Sequence, residues 1–214
     1  MIRYIVFDFD GTLVDSKAVL ISVFNQIAQK YKLKSMEADT ITYLQQLSIT
    51  ERCQNLGLPL YRLPFLSAEF LTLYKNSIKD VLLIEGVKSL IEKLSQQGYM
   101  LAIISSNSVN NIRNFLHSNQ IHDIKLIYSA RNIFGKDKVI KKFLKTYQLS
   151  NHEVIYVGDE ARDIVACKKN GIKVIWVNWG YDISEIASKE KPDFVANSPE
   201  EILEIIDSLE TVEG

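Results

Sequence analysis

The apolar positions of this chain change their spacing several times, and each change marks an element. Short apolar runs at Tyr4–Phe7, Leu101–Ile104, Lys125–Tyr128, Val154–Val157 and Val174–Val177 read as strands covered on both faces, with a weaker run at Phe194–Ala196. Between these runs the apolar residues fall at helical spacing. Val87, Leu90, Ile91 and Leu94 make one face, closed by Gly98 in a helix-ending position. Val139, Ile140, Phe143, Leu144 and Tyr147 make a second. Ile202, Leu203, Ile205, Ile206 and Leu209 make a closing helix, with Ser198-Pro199 as its N-cap and first turn. Strand and helix alternating from residue 84 onward predict an α/β fold built on a doubly wound parallel sheet.

Residues 16–83 break that rhythm. Leu20, Val23, Phe24, Ile27 and Tyr31 predict an amphipathic helix, and Phe65–Lys79 predicts another, with Gly57, Pro59 and Pro64 as punctuation between them. A sheet crossover needs far fewer residues than this segment holds. The pattern therefore predicts an all-helical insertion packed beside the sheet, with hinges near Val14–Ser16 and Leu82–Gly86. Residues 1–15 and 84–214 would form the α/β core domain and residues 16–83 the insertion.

Composition narrows the function without naming it. The 214 residues are 47% hydrophobic and carry a formal net charge of −1, which argues against a nucleic-acid binder. Cys53 and Cys167 are too few and too far apart for a disulfide framework or a structural zinc site. The chain enters its first strand without a charged leader, and no stretch reaches the roughly 20 apolar residues of a membrane span. A soluble, cytoplasmic protein is expected; the sequence leaves its oligomeric state open.

Open parallel sheets bind ligands beyond the carboxyl ends of their strands, so polar residues placed there carry the chemistry. The first strand ends Phe7-Asp8-Phe9-Asp10-Gly11. Residues two apart on an extended strand point the same way, and two converging carboxylates need a cation or a proton. A hard divalent ion such as magnesium meets that need with oxygen ligands. The second strand ends Ser105-Ser106-Asn107, whose small polar side chains and backbone N–H groups suit phosphate oxygens. Gly135-Lys136-Asp137-Lys138 opens a helix, where a lysine can neutralise a phosphoryl group. The fourth run ends Gly158-Asp159-Glu160-Ala161-Arg162-Asp163, so Asp159 can join the first two acids, with Asp163 one turn on orienting the cluster. Taken singly, each of these residues also reads as a turn or helix cap. Gathered in one crevice, three acids, a serine and a lysine read as a metal and phosphate site.

The segments DFDGTLVD at Asp8–Asp15, IISSN at Ile103–Asn107, GKDK at Gly135–Lys138 and VGDEARD at Val157–Asp163 resemble, in order and spacing, the four motifs of the haloacid dehalogenase (HAD) superfamily of hydrolases. The C-terminal segments, among them Val177-Asn178-Trp179-Gly180-Tyr181, look most like its phosphoglycolate-phosphatase-like branch, and the insertion is similar to that branch's helical cap. The resemblance implies a Rossmann-like core and a magnesium-dependent phosphatase acting on a small-molecule phosphate ester, phosphoglycolate or a sugar phosphate. It implies that Asp8 is the nucleophile and Asp10 the general acid and base. Magnesium would be held by Asp8, the backbone carbonyl of Asp10, and Asp159, with Asp163 behind them. Ser105, backbone amides near Gly11 and Ser106, and Lys136 would hold the phosphoryl oxygens, Lys138 being the alternative lysine.

Two other readings are weighed against it. A sugar phosphomutase of the β-phosphoglucomutase type also keeps both acids of the first motif. That group shows a histidine in the first cap helix where this chain has Leu20. A non-catalytic phosphoprotein-binding domain would be expected to lose an acid, whereas Asp8, Asp10 and Asp159 are all present. The insertion's cations, Arg52, Arg62, Lys75 and Lys79, read as surface charges or contacts to an anionic substrate tail. Tyr74, Trp176 and Trp179 read as packing residues.

Overall fold

The computed structural model describes residues 1–130 and 134–212. The chain runs β1 (Tyr4–Phe7), β2 (Val14–Asp15), α1 (Lys17–Tyr31), α2 (Ala38–Gln45), α3 (Ile49–Asn55), α4 (Leu63–Ser77), β3 (Leu82–Leu83), α5 (Val87–Gln96) and β4 (Met100–Ser105). It continues α6 (Val109–Ser118), β5 (Leu126–Ser129), α7 (Lys136–Tyr147), β6 (Val154–Gly158), α8 (Ala161–Asn170), β7 (Lys173–Val177), α9 (Ser184–Ala187), β8 (Phe194–Ala196) and α10 (Pro199–Val212).

Six strands form one sheet in the order β5-β4-β1-β6-β7-β8, and every neighbouring pair is parallel. The α/β, doubly wound parallel architecture is thus the observed one. Alternation within the strands explains why apolar runs mark them. Ile5, Phe7, Leu101, Ile103, Ile155 and Val157 belong to the core on one face, while Tyr4, Val6, Ala102, Ile104, Tyr156 and Val174 belong to the core on the other. Helices α5, α6 and α10 bury their apolar stripes in the first layer, and α7 and α8 in the second. Gly98, at φ 92°, ends α5, and Ser198 accepts from the Glu201 N–H at the start of α10.

β1 lies between β4 and β6, with Phe7 opposite Ile103 and Val157. From that centre the strand order runs outward in both directions, which opens a crevice at the strand tips. Asp8 prolongs the pairing by one bond, its N–H donating to the Val157 carbonyl at 2.8 Å.

Between Lys17 and Asp80 the regular elements are all helices, and their apolar residues continue the first core layer through Leu13 and Val14. Two details differ from the sequence reading. Pro64 does not precede the last long helix but sits in the first turn of α4, where its missing N–H has no helical partner to lose. The chain also enters and leaves the insertion through an antiparallel ribbon pairing Val14 with Leu83 and Asp15 with Leu82. Strands of two residues are too short to show a period, so this ribbon leaves no mark in the sequence. Among the described residues no helix is long and apolar enough to cross a membrane.

Candidate active site

The tips of β1, β4 and β6 and the first turns of α7 and α8 converge on a small set of buried polar side chains. Asp8, Ser105, Asn107, Lys136, Asp159, Glu160 and Asp163 are all buried, and Asp10 is half-buried. Placement follows from the sheet: a fully apolar strand ends abruptly in an acid, so the acid is delivered to the edge of the core with its backbone already fixed.

Lys136 stands at the centre of the ionic half of the site. It is the first residue of α7, and its ammonium donates to Asp8 Oδ2 at 2.7 Å and to Asp163 Oδ1. Its Nζ lies 5.5 Å from the ring centroid of Tyr156, whose hydroxyl donates to the Ile104 carbonyl. Burial disfavours the ammonium, but Asp163 and Asp8 outweigh burial and raise the lysine's pKa. Lys138 is exposed on the far side of the same helix. Of the two candidate lysines, Lys136 is therefore the one in the crevice.

The acids form two groups. Asp8, Glu160 and Asp163 each offer a carboxylate oxygen, and these oxygens lie within 4.8 Å of one another. Asp159 is held by donors of its own: Thr12 Oγ1 donates to its Oδ1 at 2.8 Å and the Tyr181 N–H to its Oδ2 at 2.8 Å. Its backbone carbonyl accepts from the Trp176 indole at 2.7 Å. Among the described residues, the acids whose oxygens gather most closely with Asp8 are Glu160 and Asp163, and Asp159 lies near enough for all three to act on it. Burial pushes Asp163 up to about 6 despite Lys136, and burial with Glu160, Asp8 and Asp163 around it pushes Asp159 well above the carboxylate range. Four carboxylates here face two cations, Lys136 and Arg162, the latter ion-paired with Glu160. The excess of two negative charges and an all-oxygen donor set fit a hard divalent ion.

The glycines of the motifs make room for these acids. Gly11 has φ 79°, and a Cβ there would collide with the Asp159 carboxylate; one at Gly158 would meet Asp163 Oδ2 at 2.6 Å. Gly11 was expected to offer its amide to phosphate. Its N–H instead donates to the Val14 carbonyl at 2.9 Å, because the tight turn after β1 needs that bond to close. Gly180 also packs against the Asp159 side chain.

Asp10 sits among neutral donors. Tyr74 from α4 donates to Oδ1 at 2.6 Å, Ser16 to Oδ1 at 2.7 Å, and Asn107 to Oδ2 at 2.8 Å. The Tyr181 hydroxyl is 2.7 Å from that of Ser16. Loss of hydration raises the Asp10 pKa, and the three hydrogen bonds oppose the rise without cancelling it. Ser105 Oγ accepts from the Asn107 N–H at 3.2 Å, which shapes the loop that aims Asn107. Ser106 lines the crevice beside Arg162.

Tyr74, Ser16, Tyr181, Glu160 and Arg162 were not assigned to the site from sequence. Glu160 and Arg162 lie inside the fourth motif and Asn107 inside the second, so position alone marked them. Tyr74 had no such signal, being one aromatic residue on an amphipathic helix.

Known proteins resemble this chain over most of its length. Residues 5–177 match the family model described as haloacid dehalogenase-like hydrolase. A phosphoglycolate phosphatase of Synechococcus elongatus is 28% identical over 210 residues, covering 96% of this chain and 97% of that protein. A pyrophosphatase of Halalkalibacterium halodurans is 24% identical, covering 96% of this chain and 97% of its own length. Among solved structures, a haloacid dehalogenase-like family hydrolase from Streptococcus pneumoniae superposes with a TM-score of 0.80 at 25% identity, covering 96% of this chain and 98% of that one.

Proposed function

Because the chain belongs to the haloacid dehalogenase-like hydrolase family, we propose that it is a magnesium-dependent phosphatase that cleaves a small phosphate ester through an aspartyl-phosphate on Asp8. The observation that carries this reading is the pairing of Asp8 with Lys136 at one wall of a cavity that Asp10 also lines. The names of the relatives support it, since those above are phosphatases or a pyrophosphatase.

Lys136 and the Phe9 N–H, which donates to Asp8 Oδ1 at 2.7 Å, hold the Asp8 carboxylate in one orientation. A carboxylate oxygen of Asp8 attacks phosphorus, and the bond to the ester oxygen breaks as Asp10 delivers a proton to it. Asp10 then takes a proton from the water that hydrolyses the acyl-phosphate, which returns both acids to their starting forms. The raised Asp10 pKa suits a group that must begin this cycle protonated. Lys136, Ser105 and Ser106 would hold the phosphoryl oxygens. A bound magnesium ion, held by Asp8 with Glu160, Asp163 and Asp159 near it, would neutralise the repulsion between an anionic nucleophile and an anionic ester.

Residues 16–83 would act as a cap hinged on the β2–β3 ribbon over the core of residues 1–15 and 84–214. The Tyr74–Asp10 bond then belongs to the closed state and excludes water from the acid pair. Two buried free thiols, Cys53 and Cys167, suit a protein of the cytoplasm.

The test is phosphate release from a panel of small esters, with and without magnesium, by wild type and Asp8→Asn. Release that requires both magnesium and Asp8 supports the reading. Release by Asp8→Asn at the wild-type rate contradicts the assigned nucleophile, and transfer without net phosphate would point to a mutase.

A further inference from the structure

The cavity lined by Asp8 and Asp10 does not end at the strand tips. It has a volume of about 360 Å³ and extends between the helices of the insertion. Packed interiors hold few voids larger than a water molecule, and ligand pockets span roughly 300–1,000 Å³. The space is therefore a ligand-sized one, continuous with the acid pair. Its far walls are hydrocarbon: Phe24, Ile27, Leu44, Leu56, Leu63 and Leu66, drawn from α1 to α4 and the connections between them.

A substrate with a second anionic group would need a cation in that space, since an unpaired buried carboxylate is expensive. Among the described residues the cations on the lining are Lys17, Arg52 and Arg162. Lys17 Nζ donates to the Trp179 carbonyl at 3.1 Å. Arg52 is ion-paired with Asp182 and donates to the Leu44 carbonyl at 2.8 Å and the Gln45 carbonyl at 3.2 Å. Arg162 is ion-paired with Glu160. Arg62, Lys75 and Lys79, which the sequence offered as contacts to an anionic tail, are exposed and off the lining.

Resting on the phosphatase reading above, we propose that the substrate is the phosphate monoester of an apolar alcohol, whose hydrocarbon part fills the cavity in the insertion while its phosphate meets Asp8. Phosphoglycolate, a two-carbon ester with a carboxylate, leaves the hydrophobic space empty, and of the described cations on the lining Arg52 and Arg162 are already ion-paired, which leaves Lys17 alone to meet its charge. An alkyl or aryl group instead exchanges water for these apolar walls.

Two measurements test this. Straight-chain alkyl phosphonates, which cannot be hydrolysed at the P–C bond, are titrated calorimetrically into wild type with magnesium. Kd is expected to fall roughly threefold per added methylene until the cavity is full; a Kd independent of chain length overturns the proposal. In turnover, kcat/KM for octyl phosphate should exceed that for phosphoglycolate by about 100-fold or more, and the reverse order overturns it. Ile41→Trp narrows the cavity from a half-buried wall position and should cost octyl phosphate about tenfold or more while leaving methyl phosphate within about twofold. Ile49→Phe repeats the test on a different helix, so misfolding of one variant does not decide it. Equal losses for long and short esters overturn the proposal. If wild type releases phosphate from no ester, the phosphatase reading fails, and the phosphonate series still reports on the cavity by itself.

Discussion

Asp8 and Asp10 stand two residues apart at the end of one strand, in surroundings of opposite character. Asp8 is embedded among ions: Lys136 at 2.7 Å, with Glu160 and Asp163 close by. Asp10 is held by a phenol, an alcohol and an amide, none of them charged. A carboxylate hydrogen-bonded to a fixed cation is held in one orientation, which a nucleophile requires. One that has lost water and gained only neutral partners is pushed toward the protonated form, which a general acid requires. The strand supplies both positions, and the elements that come to meet them make the difference: α7 and α8 for Asp8, and Ser16 just before α1, together with α4 and the loop after β4, for Asp10.

The largest expected effect comes from removing the ion at the centre. Lys136→Met leaves Asp8 and Asp163 buried without their cation and should cost about 3–5 kcal/mol of stability. Urea unfolding in the absence of magnesium reads this directly, and an unchanged midpoint would show that the ion pair is not holding the crevice together. The opposite half should respond in the opposite way. Asp10→Asn keeps shape and removes a poorly hydrated acid, so stability should stay within about 1 kcal/mol while kcat falls about 10²–10⁴-fold. If stability and rate fell together, the distinction between the two acids would be wrong.

Tyr74→Phe removes one neutral donor from Asp10 and nothing from Asp8. About 0.5–1.5 kcal/mol is expected, seen as a fall in kcat of up to roughly tenfold. A purely structural tyrosine would alter the melting temperature and leave kcat alone. The smallest effect lies at the other end of β1, where the exposed Arg3 pairs with Glu153 at 2.7 Å. The Arg3 guanidinium, with the Ser150 N–H, holds Glu153 down at about 2, from an ordinary value of 4.5. A lowered carboxylate pKa stabilises the fold above pH 4.5, and that contribution disappears as pH falls through about 2. Arg3→Ala should therefore lower the melting temperature only slightly at pH 7, and the difference from wild type should shrink toward pH 2.

The ionic half was the more legible in sequence. Strand runs such as Val154–Val157 show their burial in composition, and an acid that follows one directly is placed by the sheet. Asp8 was named on that basis, Lys136 as a lysine opening a helix and Asp163 as one turn beyond the fourth run, and Lys136 donates to both acids. What sequence could not give was which way a side chain turns once it is there. Asp159 and Glu160 are neighbours at the same strand end; Thr12 and the Tyr181 amide hold the first, while a carboxylate oxygen of the second lies within 4.8 Å of one of Asp8. The Asp10 half depends on Tyr74 and Tyr181, which arrive from an insertion helix and a distant loop; contacts over 64 and 165 residues leave no local pattern. The cavity was invisible for the same reason, because its walls are ordinary helix-spaced leucines and isoleucines whose packing leaves a space that spacing alone does not reveal.

The central claim, that Asp8 carries the phosphoryl group, is tested most directly by acid-quenching the enzyme during turnover with magnesium and locating the phosphoryl group by peptide mass spectrometry after borohydride reduction. The account predicts reduction at Asp8 in wild type, strongest with slow-hydrolysing Asp10→Asn, and none in Asp8→Asn. Modification at a different residue, or rapid turnover with no acyl-phosphate formed at any stage, would contradict it.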